Sequence, residues 1–203
     1  MSYSLTENHI PGRKITFEGA EYLWLGGTNY LNIGSHPTFQ KALTEGIEQY
    51  SQNFGSSRRN NLQFSIWEDF ERALAAYFQV EAAALCSSGL AAAQIAVQYA
   101  QQKGFTLNLA PQAHPALWRH PYTPFTGSYK DWISSHQKGQ ILATDGIGSP
   151  WINSFDFSFA TTVDPSNYLI VDESHRAGIQ DIHIPFAGHL LQTVSLSKAF
   201  GLP

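Results

Sequence analysis

The chain has 203 residues, of which 43% are hydrophobic and 14% charged, and its formal net charge is −4 at pH 7. This length allows a substantial core within one domain. Lys and Arg do not cluster, which argues against a nucleic-acid partner, and no stretch is apolar over the roughly 18 residues of a membrane span. The single cysteine, Cys86, excludes an intrachain disulfide. Because it lies in an apolar, strand-like run, we expect it to be a reduced thiol in the core. The N-terminus shows no charged-then-apolar leader pattern, so we expect a cytoplasmic protein.

The first part of the chain predicts one strand and two helices. The strand covers residues 21–25, the first helix residues 38–49 and the second helix residues 65–78. Ser65 and Glu68 have the spacing of a capping box at the start of the second helix. We expect residues 1–50 to form an N-terminal segment and residues 51–203 to form one larger domain.

From residue 82 onward, short apolar strands alternate with helical stretches. The predicted strands cover residues 82–86, 105–109, 141–144, 169–171 and 193–196, and an Ala-rich helix covers residues 90–101. Continuous apolar runs between helices indicate an α/β fold, a three-layer α/β/α sandwich around a mainly parallel sheet. Right-handed crossovers place the loops after the strands along one edge. Four polar groups should therefore converge there: the turn at Ser87–Gly89, Asp145, Asp172 and Lys198.

Asp172 and Lys198 carry the clearest chemical signal. Asp172 ends the apolar run Leu169-Ile170-Val171, and Lys198 follows a later strand in a turn with small neighbours. A lysine amine and a buried carboxylate are the two protein groups that pyridoxal 5'-phosphate (PLP) requires. The amine forms a Schiff base with the aldehyde, and the carboxylate keeps the pyridine nitrogen protonated. We therefore interpret Lys198 and Asp172 as catalytic candidates, and His175, three positions after Asp172, as a third.

Other residues could complete such a site, although each alone is more often structural. The turn at Ser88-Gly89 before a helix offers backbone N–H groups to a phosphate, and Ser195 could add its hydroxyl. His175 could bind the phenolic oxygen of the ring, and His114 could stack on its face. A metal site at Asp172 and His175 is an alternative, but no nearby residue has convincing spacing for further ligands.

With these residues in place, the chain resembles the alpha-oxoamine synthases, a group of fold-type I PLP-dependent enzymes. The resemblance spans about residues 20 to 201, and the order and spacing of the motifs carry it. The similar motifs are Thr28–Gly34 with His36-Pro37, Phe54–Arg58, Ser88–Leu90, His114, Thr144–Ser149, Asp172–His175 and Ser195–Gly201. The sequence departs from the family pattern at Leu62 and Trp67, where the family has Gly and His. It departs also at Arg176, which replaces a small residue.

The resemblance implies a role for each site residue. Lys198 would hold the cofactor and move protons at the substrate alpha carbon, Asp172 would pair with the ring nitrogen, and His175 would contact the phenolic oxygen. The remaining implied cofactor contacts are ring stacking by His114, phosphate binding by Ser88, Gly89, Leu90 and Ser195, and a position near the ring for Ser149.

The resemblance also implies an activity and an assembly. The implied reaction is a decarboxylative condensation of an amino acid with acyl-CoA, catalysed by a homodimer that has its sites at the subunit interface. Family members continue for well over a hundred residues beyond the lysine, whereas this chain stops at Pro203. We therefore expect a truncated large domain that lacks the small C-terminal domain. Two alternatives remain: an aminotransferase that uses the same lysine, and a catalytically incomplete cofactor-binding or dimerisation fragment.

Overall fold

A five-stranded parallel sheet forms the centre of the molecule. The computed structural model describes residues 12–53, 55–149 and 153–202, and only the backbone of residues 123 and 124. The strands lie in the order β4-β3-β5-β6-β7, and every neighbouring pair is parallel. Their bounds are β3 Thr106–Leu109, β4 Tyr122–Pro124, β5 Gln140–Asp145, β6 Tyr168–Asp172 and β7 His189–Thr193.

Both faces of this sheet are covered, which explains why its central strands are apolar throughout. Helix α3 (Gly89–Gln102) lies on one face and buries Ala93, Val97 and Ala100, which recur at helical spacing. Helix α4 (Tyr129–Ser134) lies on the other face, where the fully buried Trp132 donates a hydrogen bond of 3.0 Å to Asn108. All five residues of β6 are buried as a result. The structure thus confirms the predicted three-layer α/β/α architecture.

The N-terminal part is built differently. Strands β1 (Lys14–Phe17) and β2 (Ala20–Leu23) form an antiparallel hairpin, and helices α1 (Pro37–Tyr50) and α2 (Ile66–Phe78) follow. No residue of either helix is buried. Among the described residues before α3, Ile15 is the only buried hydrophobic side chain.

The sequence located all three long helices to within about a residue, but some of its other predictions were wrong. Residues 82–86 do not form a strand, because the Leu85 N–H donates to the Glu71 carboxylate at 2.7 Å instead of to a neighbouring strand. Cys86 is therefore exposed rather than in the core. The strand predicted at 193–196 lies earlier, since pairing with β6 sets β7 at residues 189–193.

The N-terminus of α2 also differs from its prediction. Ser65 already has helical backbone angles and its side chain makes no capping hydrogen bond.

Strands β1 and β4 and helix α4 were not predicted. The proposed boundary at residue 50 stays a prediction, and Phe54 and Pro203 lie outside the described residues. In the part of the chain that the structure describes, no helix has the length and apolar character needed to span a bilayer.

Candidate functional site

The carboxyl ends of β5 and β6 place two carboxylates side by side. Asp145 and Asp172 are register partners on these adjacent parallel strands, and both are buried. The Gly146 N–H donates to the Asp172 carbonyl at 2.8 Å, which continues the ladder past the strand ends. One oxygen of the Asp172 side chain accepts the Ser174 N–H at 3.0 Å. Its other oxygen accepts no hydrogen bond from a described residue, so it is available to a ligand.

Asp145 has a strongly shifted pKa. Burial, together with the charge of Asp172, raises this pKa to about 7 against the opposing effect of a hydrogen bond from the His114 backbone N–H. That N–H lies 3.2 Å and 3.0 Å from the two Asp145 oxygens. Asp145 therefore fixes the backbone at His114 and brings the loop after β3 to the same edge.

His175 links this edge to the N-terminal segment and to Lys198. Its Nδ1 lies 2.5 Å from the Tyr30 hydroxyl. Burial lowers the pKa of His175, the charges of Lys198 and His114 lower it further, and Asp172 opposes them. Lys198, Asp172 and His114 therefore all lie within electrostatic range of His175.

Lys198 lies in the turn that follows β7 and is half-buried. Its backbone carbonyl accepts the Gly201 N–H at 3.2 Å. Gly201 has a positive φ of 60°, and a Cβ there would lie 2.6 Å from the Ile33 side chain, so the turn packs closely on the N-terminal segment. No carboxylate of the described chain forms an ion pair with the Lys198 amine.

The start of α3 lies directly against the end of β7. A Cβ on Gly89 would lie 2.9 Å from the Ser195 Cβ, closer than real side chains approach, so this contact requires glycine. The Ser88 hydroxyl caps the helix by accepting the Ala91 N–H at 3.1 Å. The N–H groups of Gly89 and Leu90 have no acceptor among the described residues. Two backbone donors at the positive end of the helix dipole are thus open to an anion.

Serine side chains connect this helix start to the turn after β6. The Ser195 N–H donates to the buried Ser174 hydroxyl at 2.9 Å, and the hydroxyls of Ser195 and Ser197 lie 2.9 Å apart. Ser195 therefore touches both Gly89 and the turn that carries His175. The open donors of α3, Asp172 and His175 surround one region at the sheet edge.

Three of the residues predicted from the sequence, Leu90, His114 and Ser149, make fewer contacts with the rest of the site. Leu90 is 60% exposed, and it contributes an open backbone N–H at the start of α3. The His114 ring is exposed, and its Nδ1 accepts the Ala116 N–H at 3.1 Å. Ser149 is exposed, and no contact within the described chain joins it to Lys198 or Asp172.

A second charged pair lies beneath the site, on the interior side of the turn after β6. Glu173 is fully buried, Arg176 is 5% exposed, and the Arg176 Nε lies 3.0 Å from a Glu173 oxygen. This contact is an ion pair by distance, but neither atom has the angles of a hydrogen bond. Burial raises the pKa of Glu173 to about 7, and the charge of Arg176 opposes that shift.

Sequence reasoning missed two residues of this region. Tyr30 lay within a recognised motif but received no role, because a contact with His175 across 145 positions leaves no local signal. Ser174 also lay within a recognised motif, residues 172–175, and received no role. Its position between Asp172 and His175 was the signal that could have identified it.

The arrangement can hold three chemically different groups. The N-terminus of α3 suits an anion, the free oxygen of Asp172 suits a cationic N–H, and the half-buried Lys198 amine suits a carbonyl carbon. Within the described ranges, no group of three His, Cys, Asp or Glu side chains could hold a metal ion.

Solved structures with the same fold define the class of this protein. Serine palmitoyltransferase from S. paucimobilis, solved with a bound PLP–myriocin aldimine, matches 93% of this chain and 55% of its own, with a TM-score of 0.72 and 16% identity. The 8-amino-7-oxononanoate synthase from Francisella tularensis matches 86% of this chain and 54% of its own, with a TM-score of 0.65 and 20% identity. The chain thus has the fold of the alpha-oxoamine synthase group, over about half of those structures.

Sequence comparison identifies closer relatives. The 8-amino-7-oxononanoate synthase of Thermoanaerobacter pseudethanolicus is 32% identical over 216 aligned positions, covering 94% of this chain and 54% of the relative. That of Lysinibacillus sphaericus is 30% identical over 189 positions, covering 82% and 46%. No family model matches the chain. The chain is a homologue of 8-amino-7-oxononanoate synthases that spans about half their length, and the resemblance to alpha-oxoamine synthases is confirmed.

Proposed function

We propose that this chain carries the cofactor site of a PLP-dependent transferase that condenses an amino acid with an acyl-CoA. The observation that carries the proposal is the convergence of Lys198, Asp172 and the open start of α3 at one edge of the sheet. PLP has an aldehyde, a basic ring nitrogen and a phosphate. The Lys198 amine suits the aldehyde, the Asp172 carboxylate suits the ring nitrogen, and the start of α3 suits the phosphate. The homologous synthases support the same assignment.

The structural details agree with such a ligand. Gly89 lets the start of α3 pack directly against Ser195, where any side chain would collide, so the open N–H groups of the helix lie beside Ser195. The free Asp172 oxygen lies on a buried carboxylate, so an ion pair with a ring N–H would be shielded from water. When bound, PLP supplies an electron sink that weakens bonds at the alpha carbon of an amino acid.

In this proposal each residue of the chain has one task. Lys198 would hold the cofactor at its aldehyde carbon and would move the proton at the substrate alpha carbon. Asp172 would bind the ring N–H, and His175 would orient the ring through its phenolic oxygen. Catalysis by Lys198 requires a free amine, which agrees with the lack of an ion pair to it in the described chain.

The other contacts would bind and orient the ring. The backbone of Ser88, Gly89 and Leu90 would hold the phosphate with help from Ser195. His114 would stack on the ring face, with its backbone held by Asp145. Ser149 is a candidate contact near the ring that rests on the resemblance alone.

Covalent trapping tests the cofactor proposal directly. We expect purified protein incubated with PLP and reduced with borohydride to carry a pyridoxyl group on Lys198, detected by peptide mass spectrometry. Lys198→Ala should abolish this modification, whereas Lys41→Ala, at an exposed position of α1, should leave it unchanged. Wild-type protein that gains no modification, or gains it equally in the Lys198→Ala variant, would overturn the proposal.

A second substitution separates binding from chemistry. Asp172→Asn should still allow trapping on Lys198 but should slow exchange of the amino-acid alpha proton in D2O by about a hundredfold, because a neutral ring attracts electrons weakly. The exchange is followed by NMR of glycine or alanine. Wild-type exchange in the Asn variant would show that the carboxylate has a different role.

Product analysis distinguishes the proposed reaction from its alternatives. Release of free CoA from an acyl-CoA in the presence of an amino acid supports condensation. Formation of a keto acid without added thioester would indicate an aminotransferase. Trapping on Lys198 without either product would indicate a cofactor-binding or dimerisation fragment.

We propose also that the chain forms a homodimer in the cytoplasm. Large apolar side chains of the N-terminal part stay exposed, among them Leu43, Ile47, Leu62, Ile66 and Trp67. An exposed apolar surface of this kind is typical of a protein–protein interface. Light scattering coupled to size-exclusion chromatography should give twice the mass of the chain, and a monomer at micromolar concentration would exclude this assembly.

A further inference from the structure

The turn that follows β6 has two sides with opposite surroundings. Glu173 and Arg176, three positions apart, point into the interior, where both are almost completely buried. Ser174 and His175 lie between them and make contacts at the candidate site. The interior pair is therefore placed to anchor the turn from below while the two middle residues face the cofactor region.

Glu173 connects the ends of three strands. Its backbone N–H donates to the Thr193 carbonyl of β7 at 2.8 Å, and one side-chain oxygen accepts the Gln192 amide at 3.1 Å. On the other side, a Cβ on Gly146 would lie 2.1 Å from the other Glu173 oxygen, so the carboxylate fills the space at the end of β5. Glu173 has little freedom to move without disturbing β5, β6 and β7 together.

Arg176 supplies the charge that lets this carboxylate be buried. Its guanidinium lies over the Phe157 ring at 4.8 Å and its Nε lies 3.0 Å from Glu173. Its Nη2 has no hydrogen-bond partner among the described residues, so charge and ring contact hold it in place. Removing one member of a buried ion pair leaves the other charge uncompensated, which is strongly unfavourable.

The opposite side of the same turn reaches the site residues. The Ser174 N–H bonds Asp172 and its hydroxyl accepts the Ser195 N–H, while His175 meets Tyr30. A small rotation of the turn would shift all of these contacts at once. The interior pair and the site contacts are therefore mechanically linked through four consecutive residues.

We propose that Arg176 is a positioning residue: its ion pair with Glu173 fixes the turn that orients His175 and Ser174 toward the cofactor. This inference rests on the proposed function for the identity of the cofactor, but not for the orientation of His175. The small residue that the resembling family has at this position could not make the pair.

Three variants separate positioning from simple stability. Arg176→Met keeps the apolar stem and removes the charge. Arg176→Lys keeps the charge, and the double variant Glu173→Gln/Arg176→Met removes both charges so that none stays uncompensated. The matched control is Asp69→Asn/Arg72→Met, which removes an ion pair of the same spacing from the exposed surface of α2.

Two measurements follow the position of His175. The first is its NMR titration midpoint in cofactor-free protein, where it faces Tyr30 from the N-terminal segment, Lys198 from the turn after β7, Asp172 from β6 and His114 from the loop after β3. The second is the PLP affinity from an absorbance titration. Unfolding in urea, followed by circular dichroism, reports stability separately.

We expect Arg176→Met to unfold at lower urea, to raise the His175 midpoint as the ring becomes solvated, and to bind PLP about tenfold more weakly. The double variant should regain the urea midpoint but keep the raised His175 midpoint and the weaker binding. Arg176→Lys and the surface control should stay close to wild type in all three measurements.

A double variant with a wild-type His175 midpoint and wild-type PLP affinity would overturn the proposal, and it remains decisive if Arg176→Met alone does not fold. Wild-type protein that fails to bind PLP would instead overturn the proposed function. In that case the His175 midpoint in the double variant still decides whether Arg176 positions the turn.

Discussion

The two halves of this molecule differ in what holds them together. The sheet with α3 and α4 contains a continuous apolar core that includes Leu117, Trp132 and Ile170, each fully buried. The N-terminal hairpin with α1 and α2 has amphipathic helices but buries one hydrophobic side chain, Ile15, among the described residues. It touches the sheet part at several places, among them Tyr30 with His175 and the rings of Tyr77 and Phe78 with Phe200. The sheet part is thus stabilised by its own burial, whereas the N-terminal part depends on what its exposed faces meet.

Substitution of two tryptophans, one in each half, should give the largest difference in the free energy of unfolding. Trp132→Ala should lower the free energy of unfolding by about 3–5 kcal/mol, since it removes a fully buried ring and its bond to Asn108. Trp67→Ala, at a residue 41% exposed on α2, should cost less than about 1 kcal/mol when the chain is monomeric. Urea unfolding at concentrations where the chain is monomeric measures both. Equal losses would show that the two halves share one core.

A pair of glycines sharpens the same contrast. Gly146→Ala should destabilise the protein by about 1–3 kcal/mol, because the new methyl group collides with the buried Glu173 carboxylate. Gly46→Ala should instead stabilise it by about 0.5–1 kcal/mol, since Gly46 lies within α1 with open space around it. Thermal unfolding of both variants measures the difference. Loss of stability at Gly46 would reveal a close neighbour of α1.

Two carboxyl groups, one in each half, should make the stability depend on pH with opposite signs. The pKa of Asp145 is raised to about 7 by burial, from about 4 in an unfolded chain. Its contribution is complete below about pH 4 and is lost as the pH rises through 7. Relative to wild type, Asp145→Asn should therefore gain stability steadily between pH 4 and pH 8 in urea unfolding.

Glu71 in the N-terminal part should behave in the reverse way. The hydrogen bonds from Arg58 lower its pKa to about 2, so its contribution is complete above about pH 4.5 and is lost as the pH falls through 2. Glu71→Gln should be less stable than wild type at pH 7, and the difference should vanish near pH 2. The same slope for Glu71→Gln and Asp145→Asn would contradict this opposition.

The sequence predicted the parts of the fold that burial dictates. Strands β5 and β6 are apolar along their whole length because both faces of the sheet are covered, so their runs were visible without a structure. The run at residues 82–86 is equally apolar, but it is rich in alanine, which has a low strand propensity. In addition, the Glu71 carboxylate accepts the Leu85 N–H that a strand partner would need. Composition alone could not show which apolar run would find a strand partner.

The candidate site was predictable where it follows strand ends, and not where distant contacts build it. Asp172 and Lys198 follow from the rule that loops after parallel strands share one edge. The contact of Tyr30 with His175 and the ion pair of Arg176 with Glu173 depend on how segments pack, which no local pattern encodes. Arg176 was noted only as a departure from a family pattern, and its partner became visible with the fold.

The contact between Gly89 and Ser195 has a consequence for the order in which the protein matures. These residues lie far apart in the chain, yet the helix start reaches its final surroundings only against the end of β7. A nascent chain on the ribosome therefore exposes Gly89 long before Ser195 has been translated. Competence to capture a phosphate should therefore arrive only after Ser195 has been translated and β7 has joined the sheet.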